Sequence, residues 1–560
     1  MDAPPLDAAI ARATAWLKSR QGPAGWWDEP VTGSVDQTIR RVAEYVIVNR
    51  LLQRVPAERE RGLIAWLLAQ QNPDGSFGDA STSALVYQAL KLAGRSADDP
   101  PLVQARHAIV AAGGLVQCDL SVRRWLATLG EFPWTGVPTV PVELMLLPRW
   151  APFSVAQVAR GARVVVVARM LQSAHRWSAH LPPEQGVHEL WVTPPTSATI
   201  TYPSHAPDLS WRHLLVAGDR LARGIGYTPL VGLHRRAVAR AIEWLLQQQL
   251  ADGAWDDDLD TTATAVMALH AIGFAVDHPV MVQGLVAIDA AFAVHDGTVT
   301  IRPCHDVRWQ TAHALRALRA VGLPATDPVL VAATTALEDV APACVDTSAT
   351  LAAALAPTAP PAWLIARQSW NGGYATTDVH QTASLWQQTA LADERSLRDP
   401  PTPATTGRVL VAMAAAGCDR HLGRAWRAIE FLRTTCDPNR GWEGSVLATA
   451  AALQGLVAIG EPLTAPPFAA AVVWLRQMQQ RDGQWEDGAV ATAAAVEALV
   501  AVAGASDPAV DRGVGWLLAA QRPDGAWNGG LCRAGGCFAI AAATAPLAAL
   551  GRVRAARADR

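Results

Sequence analysis

The sequence lacks the features that mark membrane, secreted and nucleic-acid-binding proteins. No run of about eighteen residues is free of polar side chains, which argues against a membrane-spanning helix. The longest candidate, residues 162–169, is interrupted by Arg163. The Asp- and Pro-bearing start does not predict a secretory signal. The seven cysteines show neither paired spacing nor a zinc pattern, which favours reduced thiols in the cytoplasm. The net charge of −3 gives no attraction to nucleic acid.

Tryptophan, by contrast, is abundant, with 22 residues in a chain of 560. This length is too great for one hydrophobic core and fits two large domains. Many of the tryptophans belong to a repeat in which a Trp-Leu pair is followed by a Gln five residues after the Trp, and then by Asp-Gly-x-aromatic. Copies of this repeat occupy residues 66–77, 244–255, 474–485 and 516–527, with looser copies at 16–27 and 363–374.

The repeat predicts antiparallel helix pairs joined by a tight turn. The turn is typified by Asp252-Gly253, because glycine tolerates the positive φ of a sharp helix exit. The following helix opens with small polar residues such as Thr261-Thr262 and continues with alanines. Alternating long outer helices and Ala-rich inner helices are typical of an α/α barrel, in which each hairpin packs only against its neighbours. We therefore expect an all-α fold.

The pattern of predicted helices is not uniform along the chain. Helices are expected at Leu6–Ser19 and around residues 43–54, 58–70 and 82–92. The helical pattern is interrupted at residues 116–176, and the polar, Pro-rich residues 177–210 predict a long surface loop. It returns at residue 212 and continues to residue 551. Residues 552–560 are expected to form a solvated tail.

These features resemble the squalene–hopene and oxidosqualene cyclase family, in which a Gln amide and a Trp ring tie one outer helix to the next. Further landmarks in the family's order are residues 43–46 (AEYV), 131–134, 141–150, 307–311, 371–373, 399–401 and 546–552. The resemblance covers nearly the whole chain. It implies two α/α barrels, one formed by residues 1–30 and 306–560, the other by the inserted residues 31–305, with the family's cavity between them.

The resemblance also implies a catalytic acid. These cyclases protonate an alkene with a carboxylic acid that is kept neutral by burial and acidic neighbours. The family carries it as the middle Asp of DxDD. Here only that residue survives, as Asp346, because Cys344 and Thr347 replace the outer acids. Counting back from Asp399, the supporting His of the family aligns with Gln388. The alternative is that Asp346 only caps an inner helix.

A second acidic cluster lies in the inserted barrel. Locally it resembles a DxDTT acid motif, which gives Asp258 and Asp260 as alternative catalytic residues. It also fits DDxxD, which gives Asp256, Asp257 and Asp260 as ligands of a Mg²⁺ bound to a diphosphate. The competing interpretation is a capped helix with acids at its positive end. No organic cofactor is expected.

The substrate should contact aromatic and charged side chains. Aromatic faces stabilise cyclising cations, and the arginine guanidinium suits phosphate. The residues predicted to bind substrate are Trp309, Trp134, Trp386, Phe538, Glu44, Arg40, Arg123 and Arg124. Phe538 is the one aromatic left in the family's C-terminal aromatic cluster, and this depletion favours a substrate shorter than squalene, or fewer rings.

We therefore expect a class II terpene cyclase that converts a prenyl diphosphate, farnesyl or geranylgeranyl, to a cyclic product retaining diphosphate. A squalene cyclase is the alternative, and an ionising terpene synthase ranks lower. A degenerate isoprenoid-binding α/α barrel is the non-enzymatic alternative. The enzyme should be cytoplasmic, with at most peripheral membrane contact, because charges interrupt residues 210–229. Its oligomeric state, homodimer included, is left open.

Overall fold

The structure is a computed structural model, and it describes most of the chain. The described residues are 5–28, 32–33, 35–54, 57–195, 231–256, 259–295, 298–301, 307–338, 344–357, 359, 361–379, 386, 397–486, 488–528, 536–537 and 539–558. The site residues Asp257, Asp258, Gln388 and Phe538, and the stretch 210–229, lie outside them.

Helices dominate the described chain. In chain order they are α1 (Leu6–Ser19), α2 (Val35–Leu51), α3 (Ala57–Ala69), α4 (Ala80–Leu92), α5 (Pro100–Ala111), α6 (Leu120–Thr128), α7 (Arg160–His175), α8 (Val231–Gln247), α9 (Leu259–Ala271), α10 (Pro279–Ala290), α11 (Val307–Ala320), α12 (Pro328–Glu338), α13 (Val345–Leu355), α14 (Ala362–Ala366), α15 (Pro403–Ala415), α16 (Gly423–Thr435), α17 (Val446–Ala458), α18 (Pro466–Gln477), α19 (Ala489–Ala503), α20 (Pro508–Ala520) and α21 (Ala539–Ala558).

Short 3₁₀ helices and strands complete the described structure. The 3₁₀ helices are Gly114–Gln117, Trp134–Gly136, Val142–Leu146, Val155–Gln157, Pro183–Gln185 and His188–Leu190. The strands are β1 (Thr32–Gly33), β2 (Phe292–His295), β3 (Thr298–Ile301) and β4 (Gly536–Cys537). Strands β2 and β3 form an antiparallel hairpin in which Phe292 is opposite Ile301.

The chain divides into two compact units, each with its own hydrophobic core. Unit 1 comprises Met1–Val31, Asp306–Thr382 and Asp399–Arg560, and unit 2 comprises Thr32–His305 and Ala383–Arg398. The family resemblance predicts that residues 383–398 belong to the barrel formed by residues 1–30 and 306–560. Instead, Trp386 and Leu397 are buried in the core of unit 2.

Unit 1 is a closed barrel of inner and outer helices. The inner helices α11, α13, α15, α17, α19 and α21 pack in that order, and α21 packs against α11. Each also packs against an outer helix, which is α1, α12, α14, α16, α18 or α20. Small residues bring the inner helices together, since a Cβ added at Gly407 would lie 2.2 Å from the carbonyl oxygen of Ala451.

Unit 2 repeats this arrangement less regularly. Its inner helices α2, α4, α6, α7 and α9 are accompanied by outer helices α3, α5, α8 and α10. The predicted all-α class and the α/α barrel architecture are confirmed. Among the described residues, no helix combines the length and the hydropathy of a membrane span.

Two local predictions were wrong. Helix α2 begins at Val35, well before the predicted residue 43, and its extra turns are held by the buried Ile39 and Val42. Residues 552–558 continue helix α21 instead of forming a solvated tail. Val553 is fully buried, and Arg554 donates to the carbonyl of Val321 at 2.6 Å.

The Gln of each repeat links two outer helices. The Gln249 side-chain amide donates to the carbonyl of Gly253 in its own turn and to that of Val280 in α10, both at 2.9 Å. Gln21, Gln71, Gln368, Gln479 and Gln521 each make the equivalent pair of bonds. Gln521 bonds the carbonyl of Ala9 in α1, so this tie joins the end of α20 to the N-terminal helix.

The aromatic residue of the repeat is buried between the two helices of the hairpin and forms hydrogen bonds with both. The Trp255 indole donates to the carbonyl of Leu245 at 2.8 Å, and the Trp255 backbone N–H donates to the hydroxyl of Thr262 at 3.0 Å. Trp255 is fully buried. One aromatic residue therefore connects the outer helix, the turn and the inner helix, which explains the small polar residues after each turn.

Replacing Gln249 by Leu should lower the free energy of unfolding by about 1–3 kcal/mol, because two carbonyls lose their donor. Gln247→Leu is the matched control, since the Gln247 amide donates only to Glu243, at an exposed site and at 3.4 Å. It should change stability by less than about 0.5 kcal/mol. Urea unfolding of both variants provides the measurement. If both variants lose the same free energy of unfolding, the two hydrogen bonds of Gln249 do not make the proposed contribution to stability.

Candidate functional site

Asp346 lies in the first turn of inner helix α13 but does not cap it. The N-cap is Cys344, whose Sγ accepts a hydrogen bond from the Thr347 backbone N–H at 3.3 Å. Asp346 is only 9% exposed, and its side chain is directed to neighbouring helices. The interpretation of Asp346 as a simple helix cap is therefore wrong.

Both carboxylate oxygens of Asp346 have partners on adjacent inner helices. The Trp309 indole of α11 donates to Oδ2 at 3.2 Å. The Arg408 guanidinium of α15 forms an ion pair with Oδ1. Trp309 and Arg408 are themselves only partly buried. Three consecutive inner helices thus bring an acid, an aromatic face and a cation together in unit 1.

This environment determines the charge of the acid. Burial raises the pKa of the Asp346 carboxyl, but the Arg408 guanidinium and the hydrogen bond from Trp309 lower it by more. The pKa therefore lies below the ordinary value of an aspartate, and Asp346 is a carboxylate at neutral pH. The expectation of an acid kept neutral by acidic neighbours is wrong, because the neighbour that dominates is a cation.

Arg408 was missed by the sequence analysis. The family register predicts Gln388, which precedes Asp399, as the partner of Asp346, whereas the observed partner follows Asp399 on α15. One signal was available, since Arg408 is the one charged residue in α15. The preceding Gly407 lets α15 approach α17 closely and so helps to set the position of Arg408.

Asp399 supports the start of α13. Its carboxylate accepts hydrogen bonds from the backbone N–H groups of Thr376 at 3.0 Å and Asp378 at 2.9 Å. The carbonyl of Thr376 in turn accepts from the Val345 N–H at 2.7 Å. Asp399 thereby fixes the loop against which the helix carrying Asp346 begins.

A second polar layer lies further along the inner face of α11. His313, one turn after Trp309, packs with its ring centroid 4.2 Å from that indole. Burial and then the charge of Arg316 lower the pKa of His313 to about 3, so the imidazole is neutral at pH 7. Arg316 makes two hydrogen bonds to the buried Glu497, at 2.9 and 3.2 Å. The sequence analysis identified none of these three residues.

In unit 2, the carboxylate of Asp260 is occupied by an internal ion network. Arg41 lies 3.2 Å from Asp260 and 2.6 Å from Glu44. Burial raises the pKa of Glu44. The positive charge of Arg41 lowers it and the negative charge of Asp260 raises it further, and the net shift is upward. Glu44, predicted to bind substrate, and Asp260, predicted as a catalytic or metal-binding residue, are therefore both paired with Arg41.

The predicted magnesium ligands do not fit a metal site within the described part of the chain. The carboxylate of Asp260 is engaged by Arg41 at 3.2 Å. Among the described residues, no three His, Cys, Asp or Glu side chains are grouped to hold a metal.

Two of the predicted substrate-binding arginines serve the fold of unit 2. Arg40 binds Asp119 with two hydrogen bonds, at 2.8 and 3.1 Å. Arg123 donates to the backbone carbonyls of Cys118 and Val116 and is 2% exposed. Arg124 differs, because it lines a small polar cavity of unit 2. The cavity is formed by Ser121, Arg124, Trp125, Thr128, Arg169, Gln172, Asp260 and Thr264.

The predicted aromatic residues are distributed over both units. Trp309 alone among the described candidates contacts Asp346. Trp134 donates to the Ser178 hydroxyl at 2.9 Å, and Trp386 donates to the Ser154 carbonyl at 3.1 Å, both within unit 2. Trp386 is 1% exposed and so is a core residue.

Comparison with known proteins gives matches along both parts of the chain. Residues 10–297 match the squalene–hopene cyclase N-terminal domain, and residues 335–554 match the squalene–hopene cyclase C-terminal domain. The squalene–hopene cyclase of Alicyclobacillus acidocaldarius is 29% identical over 82% of this chain and 80% of its own. That of Bradyrhizobium diazoefficiens is 27% identical over 93% of this chain and 90% of its own.

A solved structure shares the fold. The ent-copalyl diphosphate synthase from Streptomyces platensis aligns with a TM-score of 0.55 and 19% identity, over 98% of this chain and all of that one. At this identity the likeness describes the fold and not the substrate.

Arg408→Leu should destabilise the protein by about 1 kcal/mol at pH 7, because a nearly buried carboxylate loses its cation while Arg408 itself is partly solvated. The folded pKa of Asp346 is depressed. The pair therefore stabilises above the unfolded-state pKa of about 3.9 and loses this effect as pH falls through the lower folded value. The difference between wild type and variant should narrow below about pH 4.

Urea unfolding at several pH values measures this difference. Arg557→Leu is the control, since Arg557 pairs with Asp511 at 2.6 Å where both side chains are more than 40% exposed. The control should have almost no effect at any pH. A destabilisation by Arg408→Leu that does not vary with pH would contradict the assigned ion pair.

Proposed function

The chain belongs to the squalene–hopene cyclase family and is a class II terpene cyclase, and we propose that it cyclises a linear isoprenoid by protonating its terminal alkene from Asp346. The observation that carries this proposal is the arrangement of Asp346, Trp309 and Arg408 at one end of the unit 1 inner helices. It supplies a proton donor, a π face and a charge that stabilises the donor's conjugate base.

The ion pair has two opposite effects on proton transfer. By stabilising the carboxylate, Arg408 makes a protonated Asp346 a stronger acid, which favours transfer to a weakly basic alkene. By lowering the same pKa, it reduces the fraction of enzyme that carries the proton at pH 7. The cyclisation rate should therefore rise as pH falls, for as long as the protein remains folded.

Trp309 serves two purposes in this proposal. Its indole N–H holds Oδ2 of Asp346, which orients the carboxyl group. Its ring can stabilise the tertiary cation formed next to the acid, an interaction of about 1–2 kcal/mol when desolvated. The cation then proceeds through ring closures and ends by losing a proton to water.

For the substrate, we propose a prenyl diphosphate, farnesyl or geranylgeranyl, whose cyclic product keeps its diphosphate. Protonation of the alkene leaves the carbon–oxygen bond of the diphosphate intact. A substrate shorter than squalene is supported by the sequence, since Phe538 is the one aromatic residue left in the C-terminal aromatic cluster. Mg²⁺ is not part of this proposal, because Arg41 already engages the carboxylate of Asp260.

Squalene is the second candidate. Two relatives support it: both are squalene–hopene cyclases, and this chain aligns with 80% of the length of one and 90% of the length of the other. The depleted C-terminal aromatic cluster around Phe538 counts against it.

Asp346→Asn should reduce cyclisation by at least about 100-fold, because the amide cannot donate the proton, whereas its size and acceptor oxygen are retained. Asp260→Asn is the matched variant in unit 2 and should retain most of the activity. Products are measured by mass spectrometry. If Asp260→Asn is inactive and Asp346→Asn turns over normally, the acid lies in unit 2 and the proposal fails.

The substrate assignment is tested with farnesyl diphosphate, geranylgeranyl diphosphate and squalene, each with and without EDTA. We expect conversion of a prenyl diphosphate to a product that enters the organic phase only after phosphatase treatment, and the samples with EDTA show whether that conversion needs a divalent metal. Conversion of squalene in EDTA, with both diphosphates untouched, would overturn this assignment and leave the acid assignment standing.

A further inference from the structure

The inner helix that carries Asp346 begins with a thiol cap. Helix N-caps are commonly Ser, Thr, Asp or Asn, because a side-chain oxygen accepts a hydrogen bond from the first turn. In α13 this acceptor is Sγ of Cys344, which lies 3.3 Å from the backbone nitrogen of Thr347 and 3.1 Å from its hydroxyl oxygen. Cys344 is partly buried and lies two residues before the acid. It therefore caps the helix without adding a carboxylate.

Inner helix α6 shows what an aspartate cap does in this fold. Its N-cap, Asp119, accepts a hydrogen bond from the Val122 backbone N–H at 2.8 Å. The same carboxylate accepts two hydrogen bonds from Arg40 of inner helix α2, at 2.8 and 3.1 Å. An aspartate that caps an inner helix can therefore also pair with an arginine of another inner helix.

The helix that carries Arg408 has a cap without a carboxylate as well. Thr402, the N-cap of α15, accepts a hydrogen bond from the Thr405 backbone N–H at 3.2 Å and lies 3.0 Å from the Thr405 hydroxyl. Cys344 and Thr347 form the same arrangement on α13. Both helices of the ion pair thus begin with a hydroxyl or thiol cap.

Few charged or titratable groups face Asp346 among the described residues. They are Arg408 on α15 and His313 on α11, and His313 in turn faces Arg316 and Glu497. Within its described bounds α13 carries no further charged residue, and outer helix α14, which also packs against α13, carries none. Asp346 is therefore the one described carboxylate that contacts the Arg408 guanidinium.

We propose that Cys344 is a positioning residue of the proton-transfer site, because its thiol caps the helix of Asp346 and leaves the guanidinium of Arg408 to that acid alone. This inference rests on the proposed function of Asp346. A carboxylate at position 344 would compete for Arg408, in the way that Asp119 holds Arg40. Cys344 acts through the ion pair and the start of the helix, and no contact with the substrate is required of it.

The charge of the cap bears on the pH dependence of the reaction. A second carboxylate beside Asp346 would raise the pKa of the Asp346 carboxyl, both by its own charge and by drawing Arg408 away. The acid would then hold its proton to higher pH but would donate it less readily. The midpoint pH, at which the rate is half of its low-pH limit, should therefore move upward, and the limit itself should fall.

Cys344→Asp adds this charge, and Cys344→Asn is its matched control because asparagine has nearly the same shape without the charge. Both residues are favourable caps, so both variants should fold. Farnesyl diphosphate, geranylgeranyl diphosphate and squalene are offered to the wild-type enzyme, and the one that turns over is used to record rates over the pH range in which the protein stays folded. We expect Cys344→Asp to raise the midpoint pH by about one unit and to lower the limiting rate by about three- to tenfold. Cys344→Asn should leave the midpoint within about 0.3 units of wild type.

A second control adds the same charge elsewhere. Ser445 is the N-cap of inner helix α17 and accepts a hydrogen bond from the Ala448 N–H at 3.4 Å. Ser445→Asp should not move the midpoint pH. Infrared difference spectra against Asp346→Asn follow the protonated carboxyl of Asp346 without turnover, and they should show the upward shift in Cys344→Asp.

Equal pH profiles of Cys344→Asp and Cys344→Asn would overturn the proposal, as would an equal shift in Ser445→Asp. A shift of the midpoint pH in Cys344→Ser would also contradict it, because a hydroxyl cap is uncharged and should replace an uncharged thiol. Failure of the proposed function would be seen separately, as cyclisation that survives in Asp346→Asn. The infrared titration would still test the cap in that case.

Discussion

The double hydrogen bond of one glutamine side chain is the interaction on which the architecture depends. An outer helix in an α/α barrel contacts little beyond its own hairpin, so hairpins need a specific tie to their neighbours. The Gln amide supplies it by donating to its own turn and to the next outer helix, as at Gln249. At Gln521 the same tie reaches Ala9 and includes the N-terminal helix in unit 1. Without this closure, inner helices from distant parts of the sequence would not remain in register.

That register places the reactive groups. Asp346, Trp309 and Arg408 come from three inner helices, and their hydrogen bonds require those helices to hold their relative heights. The second layer, His313 with Arg316 and Glu497, depends on the same alignment. The cation beside Asp346 changes the chemistry from that of an acid kept neutral by burial. In the proposed mechanism it yields a stronger acid that is rarely protonated at pH 7, so that the supply of protons to Asp346 becomes a central step.

Much of this could be predicted from the sequence, because it is encoded locally. The spacing of Trp, Gln and Asp-Gly specifies each hairpin, and the order of landmarks gave the family. The position of Asp346 followed from the same register. Arg408 and His313 could not be obtained this way, because their roles arise from contacts between helices that are far apart in sequence. The prediction that Arg40 and Arg123 of unit 2 bind substrate was wrong for a related reason. Nothing in the sequence shows that Asp119 already occupies Arg40.

The central claim is that a solvent-derived proton on Asp346 starts the reaction. The most direct test is to run the reaction in deuterium oxide and to locate deuterium in the product by mass spectrometry and NMR. The account predicts one deuterium atom, at the carbon that was protonated in the terminal alkene, in every molecule formed after the first turnover. A cyclic product formed at the normal rate without deuterium at that carbon would contradict it.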